Sequence, residues 1–277
     1  MDLQLNNKLI IVTGSTGDGI GKHIAQELWH YGAYVVIHGR SQESVDQTIQ
    51  GLLQVKDEEQ EQEQESDAHN NQKHGDASKL IGIPGDVSTE LGTHAFLEKL
   101  QATEEALHTK VYGLVNNVGI FEAKDFVDID DAKWMEYYQT NTLSGVRLSK
   151  YFLPQFIDRN QGRIVFISSE CGLRPLPHML PYSVSKASQI ALARGLAEMT
   201  KGTAVTVNSV LPGPTMTGGV RQYMTEFAEL KGMDSLEEAV ATYFQDAEPT
   251  SLLQRFFESQ GSGGYYRLFV VALGEWH

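Results

Sequence analysis

Short apolar runs rich in β-branched residues recur along the chain, each closed by glycine or a polar cluster and followed by a stretch whose apolar positions fall three or four apart. Leu9-Ile10-Ile11-Val12 is the first, and Ala33–His38, Leu80–Val87, Val111–Gly119, Gly162–Ser168 and Thr203–Val210 repeat the theme. Apolar runs of this length suit strands buried on both faces of a parallel sheet. Between them lie helical patterns. Ile20, Ile24, Leu28 and Trp29 form one stripe; Val45, Ile49, Leu52 and Leu53 point inward from a helix over Glu43–Val55; Phe96, Leu97 and Leu100 mark a third. A long helix is predicted from Asp131 to Arg159, with Trp134, Tyr138, Val146 and Phe152 inward. Strand and helix alternating in this way predict an α/β chain on a doubly wound parallel sheet of the Rossmann type, and 277 residues suit one domain.

Two stretches break the rhythm. Residues 57–79 carry eight acids against Lys73 and Lys79 and almost no apolar side chains, so they are expected as a disordered acidic insertion with room for some frayed helix at its start, either a solvated loop or an acidic docking segment. Residues 218–249 mix polar and apolar positions without a strand, reading either as a helical lid or as a plain surface helix pair.

The formal charge of −14 and pI near 5.0 argue against nucleic acid or an anionic membrane as partner, since both need a basic face. No secretory signal opens the chain and no apolar run is long enough to span a bilayer, so a cytoplasmic protein is expected. Cys171 has no cysteine to pair with and reads as a packing residue or, less simply, a reactive thiol. The nine histidines are scattered without ligand spacing, so no metal is expected.

Candidate chemistry gathers at the ends of the predicted strands. After the first comes Thr13-Gly14-Ser15-Thr16-Gly17-Asp18-Gly19-Ile20-Gly21. A glycine turn between strand and helix offers backbone N–H groups and the positive helix end to a pyrophosphate, so Gly14, Ser15, Thr16, Gly19, Ile20 and Gly21 are expected at a dinucleotide. The second strand ends at Gly39-Arg40 with no acid before Glu43, which favours a 2′-phosphate on Arg40 and therefore NADP(H), with NAD(H) as the alternative. Arg40, the first helix end and Lys22 are the local positive groups for such an anion in a negative protein. Asp86 closes the third strand, where it can receive an adenine amino group, cap the next helix, or both. Asn116 and Asn117 can tie neighbouring strand ends together, leaving room for the cofactor at Gly119. Asn141 falls inside the long helix, either buried and bonded or facing solvent. Ser169 comes directly after the fifth strand; Pro212 and Gly213 fix the exit of the sixth, where Thr215 and Thr217 can face a nicotinamide or phosphate.

Pro181–Ala187 adds the last pair. In a helix, Tyr182 and Lys186 share a face at i,i+4, and a nearby ammonium favours a phenolate. The same spacing also arises from a packed tyrosine beside a solvated lysine.

Each motif is weak alone, but the ordered set from residue 8 to 217 resembles the short-chain dehydrogenase/reductase family, in particular single-domain members related to 3-oxoacyl carrier-protein reductases. The resemblance implies hydride transfer between a nicotinamide and a small carbonyl or alcohol substrate. It implies Tyr182 as general acid/base, Ser169 holding the substrate oxygen, Lys186 lowering the Tyr182 pKa and bonding the nicotinamide ribose, and the Asn141 backbone ordering a water. It also implies a homo-oligomer. The chain departs from the family in two places. The glycine turn has four residues, Ser15 to Asp18, where the family has three, so the extra residue either bulges outward or sets a carboxylate near the pyrophosphate. Residues 257–277 replace the family's Val-Asp-Gly-Gly ending, with Leu268–Leu273 the candidate edge strand or part of a replaced tail, which leaves the oligomer's form open. These departures motivate a second reading, a nucleotide-binding sensor or scaffold without turnover; a third is an NAD-linked alcohol dehydrogenase.

Overall fold

Six of the apolar runs align side by side in one parallel sheet. In a computed structural model of the chain, residues 3–63, 75–258 and 271–273 are described. Strands β1 (Leu9–Val12), β2 (Tyr34–Ile37), β3 (Leu80–Gly82), β4 (Val111–Asn116), β5 (Gly162–Ile167) and β6 (Val205–Val210) run in the order β3-β2-β1-β4-β5-β6. The order reverses beside β1, where Ile11 pairs with Val36 on one side and Leu114 on the other. That reversal opens a crevice beyond the strand ends. The crossovers are α1 (Ile20–His30), α2 (Gln42–Glu63), α3 (Glu90–Leu107), then α4 (Asp131–Tyr137) continuing into α5 (Ser144–Asp158), and α6 (Leu180–Met199).

Alternation along β1 splits the core between the two faces of the sheet. Ile10 and Val12 pack with Ile24, Leu28, Trp29, Val35 and Ile37, whereas Leu9 and Ile11 pack with Val36, Leu114, Phe152, Phe156 and Phe166. Each such fully buried side chain contributes about 1.5–3 kcal/mol.

The structure corrects several boundaries. Helix α2 continues to Glu63, so the expected insertion starts within a helix, and Ala77–Lys79 forms a 3₁₀ turn; the intervening residues 64–74 lie outside the described residues. The chain returns to the sheet where Gly75 lies against Trp29, whose Nε1 donates to the Asp76 carbonyl at 2.7 Å. The long helix is not uniform: Tyr138–Leu143 is a π-helical turn between α4 and α5. The extra residue in such a turn shifts the helical phase, which is why Tyr137 rather than Tyr138 is buried.

Beyond β6, a two-residue strand β7 (Thr215–Met216) leads to α7 (Gly218–Lys231) and α8 (Leu236–Asp246), and β8 (Phe257–Glu258) pairs parallel with β7. Met216, Met224, Ala228, Ala239, Phe244 and Phe256 give this part its own small core. Of the predicted edge strand, Leu268–Val270 fall outside the described residues, and Val271–Leu273 form no strand; Leu273 is buried and its carbonyl accepts from the Tyr112 hydroxyl at 3.2 Å.

Candidate active site

A cleft of about 620 Å³ lies along the strand ends. At its floor, the turn after β1 is shaped by left-handed glycines, Gly14 at φ +61 and Gly17 at φ +79. Asn117 ties this turn to β4: its Nδ2 donates to the Thr13 and Gly14 carbonyls at 3.0 and 2.9 Å, as the paired amides predict. A Cβ on Gly21 would come within 2.4 Å of that amide, so only glycine lets α1 approach the turn. Helix α1 begins at Ile20 with Gly19 as an N-cap that has no side-chain hydrogen bond, and Gly19, Ile20 and Gly21 all line the cleft.

Ser15 departs from expectation. It is fully buried, its Oγ accepts from the His38 N–H at 2.9 Å, and it does not line the cleft: the side chain joins β1 to β2 and leaves the cofactor groove to Gly14 and Thr16. Gly17 and Asp18, one of which is the extra turn residue, are exposed and also off the cleft wall; the Asp18 carboxylate lies 3.6 Å from His23, and its carbonyl accepts from the Gly218 N–H at 3.0 Å. The bulge therefore turns outward and meets the start of α7. Lys22 does not line the cleft either.

His38 was not legible as a site residue. Its Nδ1 accepts from the Gly14 N–H at 3.1 Å, and burial pushes its pKa down to about 4, so it is neutral at ordinary pH. Only its place at a strand end hinted at this. Arg40 stands exposed on the cleft wall two residues on, and Asp86 lines the same cleft. Asp86 accepts from the Ser88 N–H and hydroxyl at 3.0 and 2.6 Å, while Thr89 caps α3 through the Gly92 N–H. Asp86 thus organises the turn before the helix without capping the helix itself.

At the other end of the cleft, Ser169, Tyr182 and Lys186 converge. Ser169 caps a 3₁₀ turn, its Oγ accepting from the Cys171 N–H at 3.2 Å, and lies within hydrogen-bonding reach of the Tyr182 hydroxyl. Lys186 is buried; its Nζ donates to the Ile167 carbonyl at 2.7 Å and to Gln189 Oε1 at 3.2 Å, and sits 5.5 Å from the Tyr182 ring centre. Burial holds the phenol above its ordinary pKa, opposed only by Ser169, and pushes the ammonium down to about 7. Burial is thus the largest influence on both groups, and the ammonium spends two of its N–H groups on Ile167 and Gln189.

Asn141, in the π turn, is fully buried behind the cleft and does not line it. Its Oδ1 accepts from the Ile120 N–H at 2.8 Å and its Nδ2 donates to the Ile120 carbonyl at 3.0 Å and Ser185 Oγ at 2.9 Å, which fixes the loop carrying Gly119. Pro212, Gly213, Thr215 and Thr217 line the cleft, but the Thr215 hydroxyl donates to the Gly213 carbonyl and the Thr217 hydroxyl caps α7 through the Val220 N–H. Cys171 is buried with its thiol pKa raised by burial, which suits packing and not reactivity.

Helices α7 and α8 bring Val220, Tyr223 and Tyr243 over this end, where Phe256, Met179 and Leu176 complete an apolar wall. Two acids share it. Glu248 is buried against Arg174, and Glu170 is half-buried, with burial raising its pKa. Val220, Tyr223, Tyr243 and Glu248 fall in the 218–249 stretch that the sequence offered as a helical lid or a surface helix pair, while Phe256 comes from beyond it. Among the described residues no group of three or more His, Cys, Asp or Glu is placed to hold a metal ion, and no helix is long and apolar enough to cross a membrane.

The profile described as short chain dehydrogenase matches residues 55–226. The chain belongs to the short-chain dehydrogenase family. The uncharacterized oxidoreductase YvrD of Bacillus subtilis (strain 168) is 44% identical over 256 residues, 92% of this chain and 86% of that protein. The uncharacterized oxidoreductase YvaG of the same organism is 38% identical over 260 residues, 94% and 88% of the two chains. In fold, this short-chain dehydrogenase is similar to the L-sorbose reductase of Gluconobacter frateurii, solved with NADPH and L-sorbose, at a TM-score of 0.80 and 22% identity over 99% of this chain and 92% of that one.

Membership makes the chain an oxidoreductase working with a nicotinamide cofactor, and its cleft fits one on two observations. The first turn of α1 faces the groove without a capping side chain, as a pyrophosphate requires. A Cβ on Gly119 would stand 3.5 Å from Lys186 Nζ and 3.6 Å from Asn141 Oδ1, so the glycine keeps open the space in front of the lysine.

Proposed function

We propose that this short-chain dehydrogenase is an NADP(H)-preferring carbonyl reductase or alcohol dehydrogenase in which Tyr182 is the general acid/base. The observation that carries the reading is the meeting of the Ser169 and Tyr182 hydroxyls beside Lys186, at the end of a cleft that also passes the uncapped α1 terminus and Arg40.

When bound, the cofactor supplies or accepts the hydride at the substrate carbon. The chain's own residues handle the oxygen. Ser169 donates a hydrogen bond to the substrate oxygen and Tyr182 gives its proton to that oxygen, or takes it back in the oxidative direction. Arg40 holds the 2′-phosphate. Asp86 stands at the adenine end, and Gly14, Thr16, Gly19, Ile20 and Gly21 cradle the phosphates. Asn117, Gly119, Pro212, Gly213, Thr215 and Thr217 border the nicotinamide half. Phe121, 6.3 Å from the Tyr182 ring, and the Tyr223–Tyr243 wall exclude water from the substrate.

Purified protein tested for NADPH consumption against ketones, quinones and acyl thioesters decides the matter. Turnover abolished by Tyr182→Phe is the expected result. Tight NADPH binding without turnover, unchanged by that substitution, would establish the sensor reading instead.

A further inference from the structure

Gln189 stands three residues beyond Lys186 on α6, 1% exposed and behind the cleft wall. Its two ends are used on opposite sides. Oε1 accepts from Lys186 Nζ at 3.2 Å, and Nε2 donates to the backbone carbonyl of Asn141 at 2.6 Å. Only this orientation of the amide is satisfied: reversed, it would turn N–H groups toward the ammonium and oxygen toward a carbonyl.

The carbonyl it reaches is supplied by the π turn, where the i to i−4 ladder is interrupted between Tyr138 and Leu143. The side chain of Asn141 is spent on Ile120 and on Ser185 of α6, and its carbonyl takes a second bond from α6 through Gln189. On the other side, a lysine ammonium has three N–H groups. The Ile167 carbonyl takes one, Gln189 takes a second, and the third is left toward the space kept open by Gly119.

We infer that Gln189 is a positioning residue, an uncharged bridge between Lys186 and the Asn141 carbonyl that aims the remaining Lys186 N–H into the cofactor cleft. The inference rests on the reading of Lys186 as part of the proton-handling set. An amide suits the position because it accepts from the ammonium without adding a counter-charge; the titratable groups that face Lys186 are then Tyr182 on its own helix and Cys171 on the adjoining 3₁₀ turn.

The test compares wild type, Gln189→Leu and Gln189→Glu by NADPH fluorescence titration and by the pH dependence of kcat/KM with a ketone that wild type reduces. Gln189→Leu is expected to bind NADPH about tenfold more weakly and to lose about tenfold or more in kcat, as the loss of hydrogen bonds to a charged group predicts, with the ketone KM within about twofold of wild type. Gln189→Glu places a carboxylate beside the ammonium and brings a negative charge nearer the phenol, which disfavours the phenolate and moves the pH profile to higher pH by about one unit. Unchanged NADPH affinity and pH profile in folded variants would overturn the inference and leave the functional reading intact. Should the leucine variant fail to fold, the glutamate variant decides alone. If wild type reduces no carbonyl compound, the functional reading has failed, while NADPH affinity still tests the bridge.

Discussion

The ammonium of Lys186 lies 5.5 Å from the centre of the Tyr182 ring, yet it donates at 2.7 Å to the carbonyl of Ile167 and not to the phenol. Spacing on α6 brings the two together, and burial in the crevice decides their charge: the phenol is pushed up, the ammonium down to about 7.

A tyrosine titration of the cofactor-free protein should therefore show no phenol ionising below pH about 8, since a phenolate in that site would need strong stabilisation to fall so far from its ordinary value near 10. Ultraviolet difference spectra compared with Tyr182→Phe measure this. A low-pH tyrosinate signal that vanishes in the variant would contradict this account of the buried phenol.

Tyr182→Phe should lower kcat by about 10²–10⁴, the usual worth of a positioned general acid, with NADPH affinity nearly unchanged. The hydroxyl it removes touches Ser169 and contributes little to the fold. Equal activity in the variant would move the proton transfer to another group.

Arg40→Ala separates the two cofactors. Its guanidinium is exposed on the cleft wall and no acid stands beside it on β2 to bond a ribose hydroxyl. NADPH affinity should fall about 10–100-fold, as for a charge-assisted bond, and NADH affinity by less than about twofold. Parallel loss for both would return the NAD-linked reading.

Stability should fall with acid through His38. Its folded pKa of about 4 lies below the ordinary 6.5, so the unfolded chain takes up a proton first as pH drops. Stability from this group is intact above about pH 6.5, is lost between there and about pH 4, and amounts to about 3 kcal/mol over that window. Urea unfolding at several pH values should show a shallower acid slope in His38→Asn, and a slope equal to wild type would place the acid sensitivity elsewhere.

The Arg174–Glu248 ion pair holds the turn after β5 against the segment just beyond α8. The Glu248 side chain is 3% exposed, so Arg174→Met leaves its carboxylate buried alone. A loss of about 2 kcal/mol is expected, below the value for a fully buried pair because Arg174 is partly in solvent. Glu248→Gln in the same background should recover most of it in thermal unfolding, since an amide carries no uncompensated charge.

Local pattern was enough to specify the sheet and the line of polar groups along its edge. Leu9–Val12 and Gly162–Ile167 are apolar at every position but for Gly162 and Arg163, a pattern that only a strand covered on both faces requires. Period and composition are local properties, so Tyr182, Lys186, Ser169 and the glycine turn were readable from spacing. The bonding partner of each polar atom was settled by packing in three dimensions. Ser15 went to His38 and not to the groove, the Asn141 carbonyl went to Gln189, and Tyr137 replaced Tyr138 inside because one extra residue in a π turn rotates α4 relative to α5. Hydrogen-bond partners 23, 48 or 74 positions apart, as in His38–Ser15, Gln189–Asn141 and Arg174–Glu248, leave no periodic trace, because they depend on where the sheet sets its loops and not on the residues beside them.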